Sequence, residues 1–330
     1  MRALFIGAGA SCGTFEGSAD CPPVTKHFGR ALKEAAPNWE DEYPGLREVV
    51  THLGRRLEKL SMEEIWTCID YCAKLGTVLP RRPQWDPYAT RDLKRALLLL
   101  YGSRCDQLAE RLSRSRDYTL GELVSRLAPG DILISFNYDT IAERLATRFG
   151  HDVRTAFPSY AKNVVQLAKP HGSVSWRMEG ATHRVLASTA DGKPELEAIR
   201  PEEVGPDVEP LLLGAVPIKS ELIREVQSLY GWSEVFEVVV RQWRLITHAV
   251  RHAESFVVAG YGFPKEDQYG GFLLREAMRT RTTVPTVEFY ELEKHEKRTK
   301  KAIRHAFGCE KLSPQPKGPV GRGRFTKAGS

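Results

Sequence analysis

Leu4-Phe5-Ile6-Gly7-Ala8-Gly9-Ala10-Ser11, close to the start of the chain, sets an apolar run directly against a glycine-spaced turn. Residues 3–6 are all apolar, which reads as a strand buried on both faces rather than one with a face in water. A strand that stops in a glycine turn and continues in small residues is how a parallel sheet opens its first strand–helix unit. Working outward, apolar runs of strand length recur at 132–136, 164–167, 211–213, 256–259 and 287–290, most of them separated by helical periodicity. That alternation predicts an α/β fold with a mostly parallel sheet of about six strands, helices covering both faces.

The helical segments have their own signals. Thr140 stands where a cap for 141–149 is expected, and Gly150 stands where that helix should stop. Val235, Val239, Trp243, Ile246 and Val250 recur at three- and four-residue steps, giving a helix with one buried stripe. Residues 38–128 carry no strand pattern, only helical ones at 47–60, 61–75, 91–112 and 120–127, so they read as a helical insertion after the first βα unit. Within it Ser61 and Glu64 have capping-box spacing, and Pro80, Pro83 and Pro87 mark a loop. Residues 177–210 read as a long polar loop without an assigned element.

With 330 residues, 42% of them apolar, the chain can bury a sizeable core. No run of ~18 apolar residues exists, so no membrane span is expected. The N-terminal apolar stretch is too short for a secretory segment and leads straight into the glycine turn, which makes the expected location cytoplasmic. The net charge of +6 is unevenly placed. Lys311, Lys317, Arg322, Arg324 and Lys327 give 311–330 a charge of +5 with no acid, leaving +1 for the preceding 310 residues. That tail, rich in glycine and proline, is expected to be disordered, and nucleic acid could be touched only through it. The cysteines are Cys12, Cys21, Cys68, Cys72, Cys105 and Cys309, with no CxxC pair among them. Cys68 and Cys72 share a helix face and read as part of a buried stripe, so no metal site is expected.

Four stretches carry candidate chemistry. In the first, Gly7, Ala8, Gly9, Ala10 and Ser11 either let a backbone approach a pyrophosphate or simply make a tight turn. The third glycine of a hydride-transfer fingerprint is missing. Asn137 and Asp139 follow the 132–136 strand at the end that faces a ligand crevice, although both also suit a helix cap. His171, followed by Gly172 and Ser173, lies beyond the 164–167 strand and is able to act as a base near neutral pH. Gly260, Tyr261, Gly262, Phe263 and Pro264 end the 256–259 strand, where the glycines serve either a cofactor or close strand-to-helix packing. Asp267 then starts a helix.

Taken together, GAGAS at 7–11, FNYD at 136–139, HGS at 171–173 and GYGFP at 260–264 resemble the SIR2-like, sirtuin-related NAD-consuming family of bacteria over roughly residues 1–308. The resemblance implies a Rossmann-like catalytic domain spanning 1–310, with the basic tail outside it. It implies Asn137 positioning ribose and water, His171 acting as base, and Asp139 supporting the site electrostatically. Gly7, Ala8, Gly9, Ala10, Ser11, Pro23, Gly172, Lys219, Gly260, Tyr261 and Gly262 would contact the dinucleotide. The implied activity is hydrolysis of NAD to nicotinamide and ADP-ribose without a metal, in an effector of anti-phage defence that acts by NAD depletion. The implied partners are other copies of the chain and a separately encoded trigger, such as a helicase-like ATPase or an Argonaute-like protein. The stretch FEGSADC at 15–21 departs from the family loop. Without CxxC pairs the zinc ribbon of the deacylating sirtuins has no counterpart, which disfavours deacylation. A non-catalytic NAD- or ADP-ribose-sensing module is the alternative, and hydride transfer a weaker one.

Overall fold

Strand β1 (Arg2–Ile6) serves two cores at once: Leu4 and Ile6 enter one apolar cluster, while Ala3 and Phe5 enter another on the opposite face. Full burial of such aliphatic and aromatic side chains contributes about 1.5–3 kcal/mol each, which is why the run is apolar without alternation. The computed structural model describes residues 1–14, 23–75, 86–103, 105–114, 119–155, 163–179, 185–189, 192–205, 207–213, 234–263, 267–291 and 295–318. Its other strands are β2 (Ile132–Ser135), β3 (Val153–Thr155), β4 (Val165–Ala168), β5 (Gly172–Glu179), β6 (Val185–Leu186), β7 (Val208–Leu212), β8 (Ser255–Ala259), β9 (Thr286–Tyr290) and β10 (Gln315–Gly318). Seven form one sheet in the order β10-β9-β8-β1-β2-β4-β3, every pair parallel. The expected α/β class with a helix-covered parallel sheet is what the chain adopts.

The helices Cys105–Arg114, Thr119–Ser125 and Ile141–Arg148 pack on one face of this sheet. The helices Glu234–His252, Gln268–Arg279 and Glu296–Phe307 pack on the other, where Phe5 meets Phe256 and Phe307 edge-on at 5.6 and 5.7 Å. The helical stretch expected over 38–128 therefore divides. Its last two helices cover the sheet, whereas Pro44–His52, Met62–Leu75 and Asp86–Tyr101 build a separate apolar cluster together with Phe28–Ala35. The capping box is formed: Glu64 N donates to Ser61 Oγ at 3.2 Å, and Ser61 N donates to the Glu64 carboxylate at 2.8 Å.

Several expectations need correction. The single helix read over 91–112 is two, because the chain turns at Gly102, whose N–H closes on Leu98 O at 2.9 Å. The pattern at 47–60 resolves into a helix ending at His52 and a separate 3₁₀ turn, Leu57–Lys59. Pro87 lies in the first turn of a helix, where its missing N–H costs nothing, and Pro80 and Pro83 fall outside the described residues. Residues 177–210 are not a featureless loop, and the run at 211–213 does not join the main sheet. Both contribute to a second, antiparallel sheet in the order β6-β5-β7. Residues 311–318 are not a disordered tail start: Leu312 is buried and β10 pairs in parallel with β9. Polar, proline-containing sequence hides this edge strand, in which Gln315, Pro316 and Lys317 are all exposed. Residues 319–330 fall outside the described residues. Among the described residues no helix is long and apolar enough to cross a membrane.

Gly172 opens β5 at φ +82°, and a Cβ there would lie 1.9 Å from Leu211 O. Gly54 also has a positive φ, +61°, but nothing within 4 Å of where its Cβ would be. Gly172→Ala combines backbone strain with overpacking and is expected to lose at least about 2 kcal/mol, whereas Gly54→Ala loses about 1 kcal/mol. Denaturant unfolding of both variants checks the difference, and equal losses would refute the steric account.

Candidate functional site

Parallel pairing puts the carboxyl ends of β1, β2, β4 and β8 along one edge of the sheet. The chain runs outward from β1 in both directions, so the crevice of such a fold lies beside that strand's end. Gly7, Asn137, His171 and Gly260 each follow one of these four strands, and this edge is where the sequence motifs converge.

Asn137 is buried at the end of β2, 5% exposed. Its Nδ2 donates to Ser11 Oγ at 3.1 Å, and Ser11 Oγ in turn donates to Asp139 Oδ2 at 3.3 Å. Asn137 Oδ1 is buried with no hydrogen-bond partner among the described residues. Asp139, not Thr140, caps the following helix: its Oδ1 accepts from Ile141 N at 3.1 Å, while Thr140 makes no side-chain cap bond. Burial pushes the Asp139 carboxyl up to about 6; the Lys169 ammonium pulls it down in part, and the Glu143 carboxylate pushes it further up. Beneath it Lys169 Nζ donates to Glu143 Oε1 at 2.6 Å and to Asp139 O at 2.5 Å, both side chains being excluded from water. The Asp139 carboxylate thus belongs to a buried polar layer under the crevice.

His171 is 5% exposed and sits 3.0 Å from Asp267 through Nε2. Asp267 is itself buried, caps the helix Gln268–Arg279 by accepting from Gly270 N at 3.2 Å, and lies near the buried Tyr261. Burial first, and then Asp267, hold Tyr261 far above the usual tyrosine range, so it stays a neutral donor. Phe136 stacks on Tyr261 at 3.9 Å and meets the His171 ring edge-on at 5.5 Å. The Tyr138 ring is tilted against the imidazole at 6.5 Å and Tyr101 meets Tyr138 at 6.0 Å. The Tyr101 hydroxyl donates to Pro23 O at 2.9 Å, so the helical insertion ties the Pro23 segment toward the aromatic wall. Asp267, Phe136, Tyr138 and Tyr101 were not singled out as site residues from the sequence. Asp267 had a visible signal, a capping acid just after GYGFP, but nothing local to it points to His171.

The glycine turns pack on each other. Gly7 N donates to Ala259 O at 3.0 Å, Gly9 N to Gly260 O at 2.9 Å, and Ala10 N to Gly7 O at 2.9 Å. These three amides are engaged within the protein, and a Cβ on Gly260 would lie 2.0 Å from Ala10 N. Gly262 differs: it is exposed, with open space where a Cβ would be. Next to it Phe263 holds φ +47°, a strained conformation for a bulky residue, kept by packing on Tyr261 and Phe307 at 4.5 and 5.6 Å. Gly172 is fixed by its contact with β7, and Ala8 is half-buried. Lys219 lies outside the described residues.

No family model and no curated protein matches the chain. Solved structures to which it is similar are Sir2 homologues. One, a complex of a Sir2 homologue with NAD, aligns with 97% of this chain and 84% of its own at 12% identity and a TM-score of 0.34. Another, a mutant Sir2 homologue with ADP-ribose, aligns over 92% and 91% at 14% identity and a TM-score of 0.33. Likeness this faint carries no functional argument.

The raised Asp139 carboxyl has a consequence for stability. Its ordinary value is 3.8, so between about 4 and about 6 the folded chain binds a proton that the unfolded chain has lost. Relative to Asp139→Asn, wild type therefore loses stability as pH rises through that window and stays level above it. At about 1.4 kcal/mol per pH unit the change is on the order of 3 kcal/mol. Denaturant midpoints of both proteins across pH 4–7 measure it, and a flat difference would refute the burial of an ionised carboxylate here.

Proposed function

We propose that the chain hydrolyses NAD⁺ at the nicotinamide–ribose bond, releasing nicotinamide and ADP-ribose. The observation that carries the reading is Asn137: a neutral amide at the strand edge, one end held by Ser11, the other an acceptor without a partner among the described residues. An acceptor buried in this way costs about 1–3 kcal/mol until a donor meets it. A ribose hydroxyl or a water are the donors such a crevice would bring.

Oxidised nicotinamide leaves as a neutral base, and breaking its bond to C1′ builds oxocarbenium-like charge on the ribose. In the proposed step the oxygen of a water bonds to C1′ as the C1′–N bond breaks, the electron pair departing with nicotinamide. The proton released by water passes to His171. Asp267, accepting from Nε2–H, would hold the tautomer in which Nδ1 is the basic nitrogen. Asp139 would bias the field from below while keeping Ser11 and Asn137 in register. Ser11, Gly7, Ala8, Gly9 and Ala10 would admit the dinucleotide backbone, with Gly260, Tyr261 and Gly262 on its other side. Pro23, Gly172 and Lys219 would complete the enclosure, and the chemistry itself calls for no metal. On the motif resemblance alone, we extend the reading to a cytoplasmic effector of anti-phage defence. It would deplete NAD as a homo-oligomer released by a separately encoded trigger, a helicase-like ATPase or an Argonaute-like protein.

The sensing alternative has one observation on its side, the burial of His171 against Asp267. Chromatography of nicotinamide released on incubation with NAD, with and without co-expressed neighbours, separates the two. Asn137→Ala and His171→Ala are expected to lower release by about 10²- to 10⁴-fold with unchanged melting curves. Asp267→Asn, acting through His171, is expected to lower kcat and displace the pH profile while leaving KM little changed. Full activity in His171→Ala would sink the mechanism, and NAD binding without turnover in wild type would favour the sensor.

A further inference from the structure

We propose a thiophilic metal site at His52, Cys68 and Cys72, where the helix Pro44–His52 ends against the face of the helix Met62–Leu75. The spacing of the two cysteines places both thiols on one side of their helix, one turn apart. His52 reaches the same point from the last turn of the preceding helix. One ligand atom from each residue, two Sγ and one imidazole nitrogen, lies within 4.8 Å of the other two.

Around a tetrahedral zinc-class ion, bonds of about 2.3 Å to sulfur and 2.0–2.1 Å to nitrogen put neighbouring ligands roughly 3.5–3.8 Å apart. The trio therefore needs to close by about an ångström, within the reach of small χ rotations. Cys72 is buried against the apolar cluster of the insertion, Cys68 is half-buried and His52 is exposed. Protein thus covers the thiol side, and solvent reaches the imidazole side. Two thiolates and an imidazole form a set for zinc rather than for magnesium or calcium, which take oxygen ligands. The fourth position faces solvent and is filled by water. On binding, the two thiols release their protons to solvent and the ion sheds its hydration waters; no oxidation state changes.

This is not the paired-CxxC ribbon of the deacylating sirtuins, because it joins one helix-borne Cys pair to a His across a nine-residue connection, 53–61. The sequence reading placed both cysteines in an apolar stripe, and Cys72 does belong to it. What that reading lacked was His52. A bound ion would fasten two helices of the insertion whose third, Asp86–Tyr101, carries the Tyr101 hydroxyl to Pro23.

The test uses the full chain, reduced and freed of metal by a chelator, then titrated with Co²⁺. One equivalent per chain is expected to give an intense thiolate-to-cobalt charge-transfer absorption, lost on adding Zn²⁺. Cys68→Ser and Cys72→Ser should abolish it, while Cys105→Ser and Cys309→Ser should leave it intact. His52→Ala, at an exposed position, should weaken Co²⁺ binding by at least the ~10- to 100-fold that losing an outer partner costs. Far-UV circular dichroism of the metal-free variants establishes that they remain folded. Zn²⁺ should raise the melting temperature of wild type and not that of the Cys68→Ser/Cys72→Ser double variant. Absence of the absorption in wild type, or its survival in folded Cys68→Ser and Cys72→Ser, would overturn the site.

Discussion

Backbone lies on backbone where β1 and β8 end. Gly260 O accepts from Gly9 N at 2.9 Å, and the Gly260 Cα sits so near Ala10 that a methyl group there would be 2.0 Å from its nitrogen. Two adjacent strands can turn upward together only because neither turn carries a side chain on its inner side. Everything at the edge inherits its position from this contact. Ser11 is delivered one residue past the interlock to meet Asn137, and Tyr261 is delivered one residue past it to meet Asp267 and Phe136. The glycines thus work first as packing elements, and any approach of a dinucleotide is a consequence of the shape they leave.

The second constraint is electrostatic. A lysine and a glutamate without water contact cost several kcal/mol each to desolvate, and their attraction compensates only when geometry and further hydrogen bonds are good. Lys169 meets that condition on its own side, through Glu143 Oε1 and the Asp139 carbonyl, and its backbone N–H donates to Gln242 Oε1 at 2.9 Å, whereas Glu143 Oε2 has no partner among the described residues. The pair locks the end of β4 to the helix after β2. His171 follows Lys169 by two residues and Asn137 precedes Asp139 by two, so the ion pair sets the separation of the two proposed reactive side chains. A salt bridge of this kind is weak evidence for stability and better evidence for a fixed arrangement.

The insertion is the third element of the design. Its apolar cluster closes over Tyr138, Val174 and Leu212, residues of the strand–loop edge and the small antiparallel sheet. Through Tyr101 it also fixes Pro23. An all-helical body thereby reaches the strand ends, where its Tyr101 meets Tyr138. The His52, Cys68 and Cys72 cluster belongs to two helices of this body, with Cys72 in its apolar cluster and His52 exposed.

Much of this was legible residue by residue. Strands buried on both faces announce themselves by uninterrupted apolar runs, so β1, β2, β4, β8 and β9 stand out in the sequence. β3, β5, β6 and β10 do not, because they are short or mix polar residues into the run: β5 alternates the buried Ser173 and Ser175 with Val174 and Trp176, and the edge strand β10 exposes Gln315 and Lys317. Asn137, His171 and the glycine turns are visible because each directly follows such a run. Asp267 beside His171, 96 positions away, and His52 beside Cys68 and Cys72 are not, since no local pattern encodes a contact between separate elements. The sequence by itself determined the α/β class, the parallel sheet and the strand ends that carry polar side chains, because burial and turn geometry are written in local composition. Only the tertiary structure decided which of those side chains meet, which amides are already engaged and that Asn137 Oδ1 is among the buried acceptors without a donor among the described residues. Those outcomes depend on how distant elements pack, and packing is a property of the whole chain.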